Sequence, residues 1–251
     1  MTTPAPAGWD RRRAILVLVA FVAGAAAPIQ LITLSFGYAE YVKGIALPGP
    51  QLLSVAHEFA RFYIPFVWIP ALVALTAVGW YTRRAYPDIF RRIVVGFGMG
   101  AVATLALDAV RQAGVLNGWL PGDTVVMFGK MASASPDFWT YWPVGLLVHY
   151  LNGAGFGLFY AFVWGKRPNY RSALLWATGW LLVVELGMMT LPPMGPALGL
   201  FGFNFAWPQF FILTLVAHVF FGVALGLLVQ HFLTNEDRGG FFALLRRRAA
   251  G

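Results

Sequence analysis

Six long stretches of this 251-residue chain are rich in apolar residues and poor in charge, and they constrain the fold more than any other feature. They lie at about 14–38, 60–82, 93–114, 141–165, 171–191 and 208–233. Each is long enough to cross a hydrocarbon core of about 30 Å as an α-helix, and the second helix is expected to begin earlier, near Gln51. Only 11% of the residues are charged, whereas soluble domains carry about a quarter. The sequence therefore predicts an all-α, polytopic membrane protein with six transmembrane helices.

Lysine and arginine are concentrated in alternate connections between these segments. Fourteen of the 18 lie at the N-terminus, between segments 2 and 3, between segments 4 and 5, and in the C-terminal tail. Because positively charged loops stay in the cytoplasm, this distribution predicts that both termini are cytoplasmic. The net charge of +8 is spread over four connections and forms no basic face with base-reading residues. We therefore expect the lipid bilayer, and no nucleic acid, as a partner.

Residues and motifs that the chain lacks exclude or disfavour several chemistries. Cysteine is absent, which excludes disulfides, thiolate metal sites, iron–sulfur clusters and covalently attached haem. The sequence also lacks a phosphate-binding glycine loop, a nucleophile elbow and a His-Glu-x-x-His zinc helix. No extramembrane segment is long enough to hold a soluble active site. We therefore do not expect an enzyme.

Segments 3–4 and segments 5–6 share one pattern, which predicts an internal repeat. The first helix of each pair carries an acid in its outer half, Asp108 in one and Glu185 in the other. A Gly-rich and Pro-rich connection follows, and the second helix opens with Trp-Pro and continues as His-x-x-x-Gly-x-x-x-Gly. The motif residues are His149, Gly153 and Gly157 in the first copy and His218, Gly222 and Gly226 in the second. Because segments 4 and 6 cross in the same direction, the repeat is predicted to be parallel.

This repeat divides a single transmembrane domain into four parts. They are 1–92 with the first two helices, repeat units 93–165 and 166–233, and a cytoplasmic tail, 234–251. The tail is expected to form a short interfacial helix, because phenylalanine and leucine there adjoin three arginines. The uncharged outer connection, 192–209, is expected to fold back onto the bundle, enter the membrane shallowly or meet a partner.

The acid-bearing helix, the "PPMG" connection and the His-x-x-x-Gly-x-x-x-Gly helix together resemble small bacterial inner-membrane proteins of the YagU-like and related groups. The resemblance covers about residues 93–233 and leaves out the first two segments. It implies a multi-pass protein of the bacterial cytoplasmic membrane and is consistent with the repeat. It implies no particular reaction and no catalytic residue.

Ionisable and polar side chains are grouped in the outer halves of these segments. Such groups are rare inside membranes, because a charge at the centre of a helix costs about 2.5–3.5 kcal/mol on the insertion scale. We interpret the group as a candidate ligand-binding or proton-relay cluster. Its members are His57, Glu58, Arg61, Asp108, Arg111, His149, Asn152, Glu185 and His218.

Three interpretations of this cluster stay open. The first is structural: the motif glycines allow close helix packing, and acids and arginines three residues apart neutralise each other. The second is a cofactor, either a b-type haem held by His149 and His218 or a metal that His57 also binds. The third is a proton relay that uses Glu185 and Asp108, because Glu185 has no cationic neighbour on its own helix. No bound cofactor is the favoured expectation.

These interpretations lead to three functional hypotheses. The leading one is a non-catalytic integral subunit that packs within, or anchors, a larger inner-membrane assembly, including self-association. It rests on the lack of a catalytic motif, the uncharged outer connection and the frequent small residues at four-residue spacing. The alternatives are a redox or metal-binding membrane protein and a proton-linked small transporter.

Overall fold

A computed structural model describes the backbone of residues 10–30, 49–191 and 198–246, and within these ranges the side chains of all but 49–55. The end of the first predicted segment, 31–38, and part of the uncharged connection, 192–197, lie outside the described residues. Within the described ranges the secondary structure is helical, with one isolated bridge between Lys166 and Arg238.

The described chain forms eight helices, which we number in order. They are α1 (Arg11–Gln30), α2 (Gly49–Tyr63 continuing through Ile69–Ala85), α3 (Pro87–Leu116), α4 (Thr124–Ser133), α5 (Phe138–Val163), α6 (Tyr170–Thr190), α7 (Gln209–Phe232) and α8 (Phe241–Arg246). Six of them, all but α4 and α8, are long and apolar enough to cross a membrane. The predicted all-helical chain with six such helices is confirmed.

Most of the spanning helices begin a few residues earlier than the sequence predicted, and the structure explains the difference at α3 and α1. The α3 helix starts at Pro87 rather than near 93, because proline is favoured in a first turn, where its missing N–H removes no hydrogen bond. The α1 helix starts at Arg11 rather than near 14, because the Asp10 carboxylate accepts a hydrogen bond from the backbone N–H of Arg13 and caps the first turn. Near these helix starts, Arg13 pairs with Asp88, and Arg91 and Arg92 are held by the C-terminal tail and by backbone carbonyls.

The α3 helix is the centre of the bundle. It packs along α5 on one side and along α7 on the other, and α7 packs in turn on α6. Buried side chains from all four helices form one core, which includes Leu107, Tyr160, Leu181, Phe221 and Leu225. This arrangement brings both predicted acid-bearing helices, α3 and α6, against the same helix, α7.

The remaining helices pack around this four-helix unit. The α1 and α2 helices contact α5 and α8 through a second core that contains Val17, Leu75, Phe162 and Leu244. The short α4 helix, in the connection between α3 and α5, packs between α2 and α5. The described part of the uncharged outer connection folds back onto the bundle, where Leu198, Phe201 and Phe205 pack beside Met189 and Phe210.

The C-terminal tail docks onto the bundle. It forms the expected short helix, α8, but Leu244 and Leu245 are buried against α1 instead of facing lipid. Asp237, fully buried, pairs with Arg91, with 3.0 Å between Oδ2 and Nε. Arg92 donates hydrogen bonds to backbone carbonyls of both α5 and the tail. The arginines at the start of α3 therefore hold the tail in place.

Candidate functional site: two buried carboxyl–histidine pairs

The structure joins four of the predicted cluster residues into two carboxyl–histidine pairs. Asp108 of α3 meets His149 of α5, with 2.8 Å between Oδ1 and Nε2. Glu185 of α6 meets His218 of α7, with 2.8 Å between Oε2 and Nδ1. Each pair therefore links the acid-bearing helix of one predicted unit to the His-x-x-x-Gly-x-x-x-Gly helix of the same unit.

The Asp108 carboxylate has a full set of partners. His149 Nε2 lies at hydrogen-bond distance from Oδ1, and because a carboxylate only accepts, this nitrogen carries the proton. The Tyr150 hydroxyl donates to Oδ2 over 3.0 Å. Arg111 Nη1 lies 3.9 Å from Oδ1, one turn further along α3. The side chain of Asp108 is 20% exposed and that of His149 is 8% exposed.

The Glu185 carboxyl group has a different environment. It is fully buried, and neither of its oxygens accepts a hydrogen bond from the described residues. The same Nδ1 of His218 lies 2.9 Å from the carbonyl oxygen of Thr214, one turn earlier in α7. Since a carbonyl only accepts, Nδ1 carries a proton that points to Thr214. Glu185 and His218 are therefore in electrostatic contact without a directed hydrogen bond between them.

The motif glycines of α5 let α3 approach closely enough for Asp108 to reach His149. A Cβ added to Gly157 would lie 2.3 Å from the carbonyl oxygen of Gly96, and one added to Gly153 would lie 1.8 Å from Oγ1 of Thr104. The residues of α3 that face α5 recur every fourth position before the acid. They are Gly96, Gly100, Thr104 and then Asp108.

The glycines of α7 meet α6 in a corresponding way. A Cβ added to Gly222 would lie 2.5 Å from Cα of Thr178, and one added to Gly226 would lie 3.0 Å from the carbonyl oxygen of Ala173. The buried residues of α6 also recur every fourth position before the acid. They are Ala173, Ala177, Leu181 and then Glu185. Sequence reasoning missed this row of small or apolar residues ahead of each acid, although its spacing is visible in the sequence.

Arg111 lies between the two pairs. On a helix with 3.6 residues per turn, its direction falls midway between Asp108, which faces α5, and Gly114, which meets a leucine of α7. Its guanidinium interacts electrostatically with Asp108, Asp123 and Glu185. Arg111 therefore lies within electrostatic range of both carboxyl groups as well as of Asp123.

The other predicted cluster residues belong to neither pair. His57 faces α4, where its Nδ1 lies 3.0 Å from the carbonyl oxygen of Ala132. Glu58 and Arg61 are both exposed, and within the described ranges no ion pair of the expected i,i+3 kind joins them. Asn152 is buried on α5, one turn from His149, and its Oδ1 has no hydrogen-bond partner among the described residues. The structure therefore joins only some of the residues that were predicted to form one cluster.

The residues do not fit the haem interpretation. A macrocycle needs open space beside its axial histidines, but backbone atoms of α3 and α6 fill the glycine faces next to His149 and His218. His57 contacts the backbone of α4 at Ala132, whereas the His149 ring contacts Phe128 of α4, one turn earlier. Among the described side chains, no three of His, Asp or Glu are placed to bind one metal ion.

Comparison of the chain with known protein families, curated proteins and solved structures finds no match. The predicted resemblance to the YagU-like groups therefore stays a prediction. The class of protein that the fold defines is an all-helical, multi-pass membrane protein. Its functional assignment rests on the two carboxyl–histidine pairs.

Proposed function

We propose that the chain is a proton-linked transporter of the bacterial cytoplasmic membrane, with both termini in the cytoplasm. The observation that carries the proposal is the carboxyl group of Glu185, which is fully buried beside His218 and accepts no hydrogen bond from the residues that the structure describes. Acids and histidines placed inside a membrane in this way form the proton relays of pumps and transporters.

The energetics of burial explain why this pair would bind a proton reversibly. An isolated buried carboxylate costs several kcal/mol, and no donor offsets that cost at Glu185. The pair avoids a net charge in two ways, as a neutral carboxyl group beside a neutral imidazole or as a carboxylate beside an imidazolium ion. Both forms hold one more proton than a carboxylate beside a neutral ring, so the pair gains or loses a proton as a unit.

The second pair would exchange protons with the outer aqueous side. The Asp108 side chain is 20% exposed whereas that of Glu185 is fully buried. Arg111 interacts with both carboxyl groups, so a change of charge at one alters the field at the other. We assign Asp108 and His149 to proton exchange with the outside, and Glu185 and His218 to proton storage in the interior.

A parallel duplication accounts for the presence of two such pairs. The residues of α3 that precede Asp108 and the residues of α6 that precede Glu185 recur at the same four-residue spacing. In both α5 and α7, glycines stand four and eight residues after the histidine. The basic residues of alternate connections support cytoplasmic termini, because lysine and arginine favour that side. On this topology both pairs lie in the periplasmic half of the bilayer.

Transient currents after a pH jump test the proposal without knowledge of the transported solute. Proteoliposomes are adsorbed to a solid-supported membrane, and the outer solution is changed quickly from pH 8 to pH 6. Wild-type protein should give a capacitive current as protons bind within the membrane field. The Glu185→Gln variant should lose most of this current, because an amide cannot take up the proton.

Glu58→Gln is the matched control, since it removes the same group from an exposed site outside both pairs. Its current should equal that of the wild type. A wild-type protein that gives no current, or a Glu185→Gln variant with the wild-type current, would overturn the proposal.

The hypothesis of a non-catalytic subunit within a larger assembly stays a prediction. Exposed apolar side chains such as Leu116 and Trp139 cover the bundle, but a lipid bilayer covers such surfaces as well as a partner does. Native mass spectrometry of protein extracted directly from membranes would test this hypothesis. Recovery of a defined complex would support it, and a solitary chain would contradict it.

A further inference from the structure

The arginines that α1, α2 and α3 carry at the end of the bundle next to α8 fall into two groups. Arg13, Arg91 and Arg92 are held inside the fold by Asp88, by Asp237 and by backbone carbonyls. In contrast, four arginines at the adjoining ends of α1 and α2 are exposed, and within the described ranges they form no ion pair. They are Arg11, Arg12, Arg83 and Arg84.

Two acids lie close to these four arginines. Asp10 accepts hydrogen bonds from the Arg13 backbone and the Tyr86 hydroxyl, and Asp88 pairs with the Arg13 side chain. Asp88 is thus matched by Arg13, and Asp10, whose hydrogen-bond partners are neutral donors, offsets one positive charge, so four arginines against one carboxylate leave this surface positive. A surface of this kind attracts an anion from outside the protein.

Two aromatic rings order these arginines. The guanidinium of Arg83 stacks on Trp80, with its Cζ 3.3 Å from the ring centroid, and that of Arg12 lies over Tyr81 at 4.8 Å. Arg84 follows the two rings by four and three residues, so it lies between them on the same helix face. Stacking on a ring reduces the rotamer entropy that an arginine loses when it binds a ligand, and it leaves the N–H donors free.

An apolar stripe continues from the arginines along the spanning helices. On α1, Ile15, Leu18 and Val22 follow at intervals of three or four residues and are 47–57% exposed. On α2, the Trp80 ring is 68% exposed and Val73, two turns earlier, is 63% exposed. A ligand seated here would thus have its anionic group among guanidinium ions and an apolar part along α1 and α2.

We propose that this surface, made of Arg12, Arg83 and Arg84 with Trp80 and Tyr81, binds the headgroup of an anionic phospholipid. Guanidinium groups match a phosphodiester through paired hydrogen bonds. Acyl chains match the exposed stripe that runs from the arginines toward the middle of the spans. A free phosphate would use only the first of these features, so the geometry favours a lipid. This inference does not depend on the proposed proton-linked function.

Native mass spectrometry of the purified full chain tests the inference. Protein is exchanged into nanodiscs with equal amounts of phosphatidylglycerol and phosphatidylcholine, released, and its retained lipids are counted. Wild-type protein should retain phosphatidylglycerol in preference to phosphatidylcholine. The double variant Arg12→Gln/Arg84→Gln should lower the affinity for phosphatidylglycerol about 30-fold, since each arginine near an anionic surface contributes about fivefold.

The control is Arg171→Gln/Arg246→Gln, which removes the same charge from two other exposed arginines. It should retain phosphatidylglycerol as the wild type does. If the first variant is too unstable to purify, Trp80→Ala keeps every charge and should still weaken retention several-fold, because it removes the ring beneath Arg83.

Three results would overturn the inference. One is a wild-type protein that retains both lipids equally. Another is an equal loss of retained phosphatidylglycerol in the Arg12/Arg84 and the Arg171/Arg246 double variants. Such a result would indicate that net charge alone attracts the lipid. The third is full displacement of phosphatidylglycerol by an equal concentration of glycerol phosphate, which would show that the acyl chains contribute nothing.

Discussion

Glu185 and Asp108 show how the environment of one residue sets its role. Both are acids in the outer halves of apolar helices, and both contact a histidine at 2.8 Å. Asp108 accepts hydrogen bonds from His149 and Tyr150, whereas Glu185 accepts none from the described residues. A satisfied buried carboxylate stabilises the fold, but an unsatisfied one destabilises it and is retained for another reason.

Apolar replacements of the two acids should therefore have opposite effects on stability. Glu185→Met removes an unsatisfied polar group and should raise the free energy of unfolding by about 1–3 kcal/mol. Asp108→Leu leaves the His149 ring and the Tyr150 hydroxyl without an acceptor and should lower it by a similar amount for each group. Thermal unfolding in the same detergent compares the two variants with the wild type. An equal loss of stability in both would contradict the assignment of Glu185 as unsatisfied.

The sequence identified these residues but not their partners. Asp108, Glu185 and the two histidines were apparent because polar groups are rare in apolar segments. Hydrophobic periodicity does not encode which helices lie side by side, so the pairing of Asp108 with His149 needed tertiary structure. Spacing alone also grouped Glu58 with Arg61, although both side chains are exposed and, where the structure describes them, not paired.

At the scale of the helix, glycine sets the distance between α3 and α5. The Cα of Gly100 and the carbonyl oxygen of Gly96 lie where a Gly157 side chain would project, and backbone atoms cannot rotate away. A hydrophobic segment can be located from sequence by its length. The sequence also showed that glycines recur every fourth residue in α5. It did not show which residues of α3 pack against them.

Gly157→Ala should push α3 and α5 apart and lower the free energy of unfolding by about 1–3 kcal/mol, the usual cost of overpacking. Gly98→Ala is the control on α3, because nothing lies within 4 Å of the added Cβ. That variant should be neutral or slightly stabilising, since alanine is favoured over glycine in helices by about 1 kcal/mol. Unfolding in detergent measures both, and a Gly157→Ala protein as stable as the control would refute the close packing.

For the whole molecule, composition was enough to predict six long apolar helices, which the structure contains. The docked position of the tail could not be predicted, because it depends on distant contacts of Arg91 and Arg92 with residues near position 237. Basic residues in a terminal segment suggested a lipid-facing helix, whereas buried leucines and an acid hold this tail on the bundle.

Membrane orientation can be tested on the intact chain, which has no cysteine of its own. Pro136→Cys places a thiol in the exposed connection after α4, and Pro168→Cys places one in the exposed connection after α5. With cytoplasmic termini, an impermeant maleimide should label position 136 in intact bacterial cells with a permeabilised outer membrane. Position 168 should be labelled only after the inner membrane is opened, and the reverse pattern would contradict the proposed orientation.

Infrared spectroscopy of the reconstituted protein tests most directly whether Glu185 and His218 bind a proton reversibly. Spectra are recorded across a pH series, and those of Glu185→Gln are subtracted from those of the wild type. We predict a carbonyl stretching band of a protonated carboxyl group that changes in intensity with pH, is absent from Glu185→Gln and persists in Glu58→Gln. A difference spectrum without this band, or with a band that does not respond to pH, would contradict proton binding at this pair.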